Sequence, residues 1–64
     1  MITYEDTVSK IMEEFPEEEE SYIRMMVTHN EIVTMTVENG DYEEVYKATK
    51  YFFKTKELKD RGMK

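Results

Sequence analysis

The stretch from Asp41 to Leu58 carries the strongest periodic pattern in this 64-residue chain and constrains its fold most. Apolar and threonine side chains recur there at the i, i+3, i+4, i+7 spacing of one helix face, with charged side chains opposite. That face comprises Tyr42, Val45, Tyr46, Thr49, Phe52 and Phe53. Asn39 and Gly40 predict a turn before it, and Asp41 with Glu44 predicts a capping box. The stretch is therefore predicted to be a helix that the rest of the chain must cover.

A second helix is predicted over residues 3–15. Its apolar residues again fall on one stripe of helical period. They are Tyr4, Val8, Ile11, Met12 and Phe15. Thr3 followed by Asp6 is a helix start signal. Pro16 predicts the end of the helix, because the residue before a proline is disfavoured in the α region.

The segment from Ser21 to Glu38 allows two interpretations. It is rich in β-branched residues and alternates with period two, which favours a β-hairpin with a turn at residues 29–31. The two alternating sets are Ile23, Met25, Val27 and Val33, Met35, Val37, which a three-residue loop would pair on one face. The alternative is a helix from Pro16 to about His29, followed by a single strand from Ile32 to Val37.

With the hairpin, the chain is predicted to be a small α+β domain of order α-β-β-α. Two helices would pack on one face of the hairpin as a two-layer sandwich. The other face would expose Tyr22, Met26 and Ile32. We expect one compact domain over residues 1–58 and a flexible basic tail over residues 59–64.

Composition argues against several classes of function. The net charge is −6, with −8 carried up to Glu38 and +2 from Asn39 onward, so direct nucleic-acid binding is not expected. The chain has no cysteine and no recognisable catalytic, metal or cofactor motif, so we predict no enzyme, no metal and no cofactor. His29 is expected in a solvated turn. No signal peptide and no apolar run of about 20 residues is present, which predicts a cytoplasmic protein without membrane contact.

Six carboxylates crowd the eight residues around Phe15 and Pro16. They belong to Glu13, Glu14, Glu17, Glu18, Glu19 and Glu20. Such a surface can imitate a phosphate backbone, so our main hypothesis is a protein-binding inhibitor of a basic, nucleic-acid-handling protein. A solvated run that only aids solubility is the simpler interpretation. The alternative function is a self-associating structural domain, a homodimer through Tyr22, Met26 and Ile32 on the sheet face or through a sheet edge.

Overall fold

The computed structural model describes residues 1–62, and within them the chain forms three helices and no strand. Helix α1 spans Tyr4–Glu14, α2 spans Glu20–Thr34 and α3 spans Glu43–Asp60. All three pack on one another in a bundle with extents of 39 × 19 × 17 Å. The predicted α+β sandwich is therefore wrong, and the fold is all-α. Helix α3 runs two residues past its predicted end, and residues 63 and 64 of the predicted tail lie outside the described residues.

Helix α1 is confirmed together with its start and end. The Thr3 hydroxyl accepts a hydrogen bond from the Asp6 backbone N–H at 3.1 Å, and the Asp6 carboxylate accepts one from the Thr3 N–H at 3.1 Å. These two bonds form the capping box and hold the pKa of Asp6 below its usual value. At the other end the Phe15 N–H bonds the Ile11 carbonyl at 2.8 Å, and Pro16 follows.

The predicted hairpin is wrong because α2 runs through the first predicted strand, the predicted turn and the start of the second strand. Ile23 and Val27, spaced i and i+4, are fully buried, whereas Met25 between them is 56% exposed. The period-two alternation was therefore coincidental. β-branched residues cost a helix only a few tenths of a kcal/mol each, which packing against two other helices outweighs. The alternative helix had the right type but the wrong limits, and its strand at residues 32–37 does not form.

The last helix is confirmed, but its predicted cap is wrong. Its predicted inner face does pack inward, with Val45, Thr49 and Phe53 buried. The N-cap residue is Tyr42, whose side chain makes no capping hydrogen bond. Asp41 instead accepts the Ile2 backbone N–H at 3.0 Å and the Glu43 N–H at 3.3 Å.

The turn predicted at Asn39 and Gly40 is confirmed. Both residues have positive φ, 53° and 77°, and the Asp41 N–H bonds the Glu38 carbonyl at 2.9 Å. Two successive positive φ values are typical of a type I′ turn, which Asn-Gly favours. This turn makes an isolated bridge between Glu38 and Asp41, and no strand of the described part extends from it.

Residues from all three helices form one hydrophobic core. Its buried apolar members are Val8, Ile11, Phe15, Ile23, Val27, Val45 and Phe53. Aromatic contacts concentrate at one end, where the Phe53 ring centroid lies 5.7 Å from that of Phe15 and 5.6 Å from that of Tyr22. This end of the core lies beneath the acidic residues that join α1 to α2.

Candidate protein-binding surfaces

The acidic segment, residues 13–20, covers the end of α1, the α1–α2 junction and the start of α2. Glu14 uses its carboxylate to contact α3. It accepts a hydrogen bond from the Tyr46 hydroxyl at 2.6 Å and lies 3.8 Å from the Lys50 ammonium. The bond to Glu14, with partial burial, raises the pKa of Tyr46 to about 12. This carboxylate therefore fastens α1 to α3.

Glu18 fastens the junction to the end of α3. Its side chain is only 10% exposed, and its carboxylate lies 3.1 Å from the Lys56 ammonium. Lys56 also contacts Asp60 at 3.3 Å, and hydrogen bonds to both carboxylates raise the pKa of Lys56. A half-buried pair of this kind is screened by salt less than an exposed one.

Glu20 pairs with Arg24 one turn later in α2, at 2.8 Å. Arg24 also binds both carboxylate oxygens of Glu5 in α1, at 2.9 and 3.0 Å. The bidentate contact lowers the pKa of Glu5, and the two acidic partners raise that of Arg24. Glu20 thus belongs to a network that joins α2 to α1.

The other three carboxylates of the acidic segment belong to Glu13, Glu17 and Glu19, and all three are exposed. Within residues 1–62 none of them lies in an ion pair. Three of the six charges are therefore offset by internal cations and three point at solvent. The sequence showed the cluster but not this division, because partners such as Lys56 stand 38 residues from the glutamate they bind.

The other predicted site residues do not form the surface that was expected. A sheet face carrying Tyr22, Met26 and Ile32 does not exist, because all three lie on α2. Tyr22 and Met26 share one side of that helix and pack against the core. Ile32 lies about 120° around the helix from Met26 and is 70% exposed. The self-association geometry built on a sheet face or edge is therefore wrong.

His29, expected in a turn, lies exposed within α2. Within residues 1–62 every buried side-chain nitrogen or oxygen has a hydrogen-bond partner, and no three acidic or histidine side chains group as metal ligands. No helix in the described part of the chain is long and apolar enough to cross a membrane.

A third surface, which the sequence analysis did not identify, is the open groove between α2 and α3. It has a volume of about 480 Å³, and the residues that line it are Tyr22, Tyr51, Phe52, Thr55, Lys56, Lys59 and Asp60. Ion pairs and hydrogen bonds join α1 to α2 and α1 to α3, whereas a side-chain hydrogen bond, from Asn30 to Thr49, joins α2 to α3. In residues 1–62 no ion pair joins α2 to α3. The contact between α2 and α3 therefore relies mainly on apolar packing.

Comparison of the chain with protein-family models, with curated proteins and with solved structures gave no match.

Proposed function

We propose that the protein is a non-enzymatic interaction module that binds a basic protein surface through the acidic segment. In this proposal the contacts are made by Glu13, Glu17 and Glu19, and the partner is a nucleic-acid-handling protein that the segment inhibits by occupying its phosphate-binding surface. The observation that supports this proposal is that these three carboxylates are exposed and form no ion pair within residues 1–62. The proposed compartment is the cytoplasm.

The fold supports this role by holding the segment in place. Glu14, Glu18 and Glu20 contact cations on α3 and α2, so the junction is fastened on both sides. Phe15 is buried at its centre, and the Glu18 N–H bonds the Phe15 carbonyl at 3.1 Å. A surface held in one conformation before binding loses less conformational entropy when a partner docks. The paired glutamates therefore position the segment, and the unpaired ones are proposed to bind.

Exposed carboxylates act mainly through long-range attraction. They raise the association rate with a basic partner, and the effect falls as salt screens the charges. The net charge of −6 adds to this attraction over the whole surface. Binding through the acidic segment should therefore weaken steeply as the ionic strength rises.

The test compares two triple variants with the parent protein, each immobilised and exposed to a lysate of the source organism. One is Glu13→Gln/Glu17→Gln/Glu19→Gln. The control is Glu31→Gln/Glu38→Gln/Glu43→Gln, which removes the same charge at the opposite end of the bundle. We expect a protein held by the parent and the control but not by the first variant, released by added duplex DNA or RNA. With that protein purified, the first variant should raise Kd about tenfold and the control less than about twofold.

Two results would contradict the proposal. Equal weakening by both triple variants would show that only total charge matters. A captured protein that neither DNA nor RNA displaces would remove nucleic-acid mimicry as the mechanism.

A further inference from the structure

One stripe of α3 borders the α2–α3 groove and lies beside the face that packs into the core, with Phe52 of the stripe partly buried against that core. Its residues follow at helical spacing and are all at least partly exposed. They are Glu44, Ala48, Tyr51, Phe52, Thr55 and Lys59. Tyr51 at the middle of the stripe is 73% exposed, and the two charged members of the stripe, Glu44 and Lys59, lie at its ends. We call this set the α3 stripe. Lys47, Lys54 and Lys56 flank the stripe on α3.

The α3 stripe is complementary to itself when it is read in the opposite direction. A two-fold axis between Tyr51 and Phe52 places each aromatic ring opposite the other type on a second copy. The same axis places Ala48 opposite Thr55, and acidic Glu44 opposite basic Lys59. Each pair occurs twice, as an interface with two-fold symmetry requires. The stripe therefore offers charge complementarity to an antiparallel second copy of itself.

We propose that the protein forms a homodimer in which the α3 stripes of two copies pack antiparallel. Ala48 and Thr55 lie one on each side of the axis and are small, so the helix axes can approach to the 8–10 Å typical of packed helices. The central aromatic rings supply the kind of side chain that dominates binding energy at interfaces. Tyr22 of α2, which lines the same groove, extends the contact beyond α3. The acidic segment contributes nothing to this interface, so the dimer is independent of the proposed function.

The molecule has enough surface for such an interface. Its accessible area is 4648 Å², and a standard interface covers about 800 Å² per partner, or about a sixth of that area. The stripe from Glu44 to Lys59 is about 22 Å long, and the α2–α3 side is one of three sides of the bundle. No ion pair joins α2 to α3 on this side in residues 1–62, and the charged residues that line its groove, Lys56, Lys59 and Asp60, lie at the carboxyl end of α3. Glu44 pairs with Lys47 at 3.5 Å within one copy. Because this ion pair is well exposed and therefore weak, Glu44 can pair with Lys59 of the second copy instead.

The first experiment measures molecular mass by sedimentation over a concentration series. We expect a shift from 7.8 kDa toward twice that mass at micromolar to millimolar concentration. Tyr51→Glu, which places two carboxylates beside the axis, should raise the dimer Kd by about a hundredfold or more. Met12→Glu adds the same charge on α1 and should change Kd less than about threefold. Circular dichroism confirms that both variants keep their helices.

A cysteine experiment tests the antiparallel register, since the chain has no cysteine of its own. The double variant Ala48→Cys/Thr55→Cys should oxidise to a covalent dimer, because the thiol at position 48 of one copy faces the thiol at position 55 of the other. Ala48→Cys alone should not, since its two thiols would lie about 10 Å apart along the helices, beyond disulfide reach.

Three outcomes would overturn the inference. They are a monomer at every concentration, a dimer unaffected by Tyr51→Glu, and cross-linking of the single cysteine variant as fast as the double.

Discussion

Two buried threonines differ in one respect that shows what a single hydrogen bond contributes here. Thr7 and Thr49 are both fully buried, and each donates its hydroxyl to the carbonyl four residues earlier, at 2.9 and 2.8 Å. Thr49 alone also accepts a hydrogen bond from another helix, from the Asn30 side-chain amide at 2.9 Å. That bond joins α2 to α3 beside the core.

We predict that Thr49→Val lowers the free energy of unfolding by about 1 kcal/mol more than Thr7→Val does. Valine keeps the shape of threonine, but at position 49 it leaves the half-buried Asn30 amide without its acceptor, and an unsatisfied group costs more than a lost bond. Urea unfolding of both variants measures the difference. Equal losses would show that water replaces Thr49 as the partner of Asn30.

Helices α1 and α3 were predicted correctly from the sequence, whereas α2 was predicted wrongly, and the reason is physical. In α1 and α3 the helical period was supported by independent signals, such as the Thr3 cap and the Asn39-Gly40 turn. In α2 two periods overlapped, because Ile23 and Val27 belong both to an alternating set and to an i, i+4 pair. Only the presence of two helices to pack against decides between them, and that information is not local.

The acidic segment shows the same limit. Its residues could be identified from the sequence, but their pairing could not, because Glu18 and Lys56 meet only when the bundle forms. The α3 stripe was not predicted from the sequence, because which residues of α3 stay exposed depends on the side of the helix that the core covers.

Met35 marks where α2 ends, and it provides a test of the helix against the hairpin. It has left-handed backbone geometry, with φ of 53°, and its side chain is 85% exposed. We predict that Met35→Gly raises the free energy of unfolding by about 1 kcal/mol, because glycine adopts this conformation without strain. Met25→Gly, the same change on the exposed side of α2, should lower it by about 1 kcal/mol. Thermal or urea unfolding measures both, and destabilisation by both would favour the hairpin, in which both methionines face the core.

Folding brings the acidic first part of the chain against the basic last part. These two parts, with net charges of −8 and +2, meet at one end of the bundle. There Glu14 contacts Lys50, and Glu18 contacts Lys56. The other end is closed differently, by backbone bonds and one carboxylate. There the Tyr42 N–H bonds the Ile2 carbonyl at 2.6 Å, while Asp41 accepts the Ile2 N–H. The Asp41 end therefore depends on one ionised carboxylate.

The response at the Asp41 end follows from the sign of its pKa shift. The hydrogen bond from the Ile2 N–H, followed by that from Glu43, holds the pKa of Asp41 below its usual value of 3.8. The ionised carboxylate therefore stabilises the folded state above about pH 4, and this contribution is lost as the pH falls through the lowered pKa. We predict that Asp41→Asn unfolds at lower urea concentration than the parent at pH 7, and that the difference shrinks toward zero near pH 2. Glu38→Gln is the control, since the Glu38 carboxylate makes no hydrogen bond within residues 1–62, and its curves should overlay the parent's at pH 7. The difference in urea midpoint between Asp41→Asn and the parent could instead stay constant from pH 7 to pH 2. That result would show that the amide disturbs packing, and that the charge of Asp41 does not stabilise this end of the bundle.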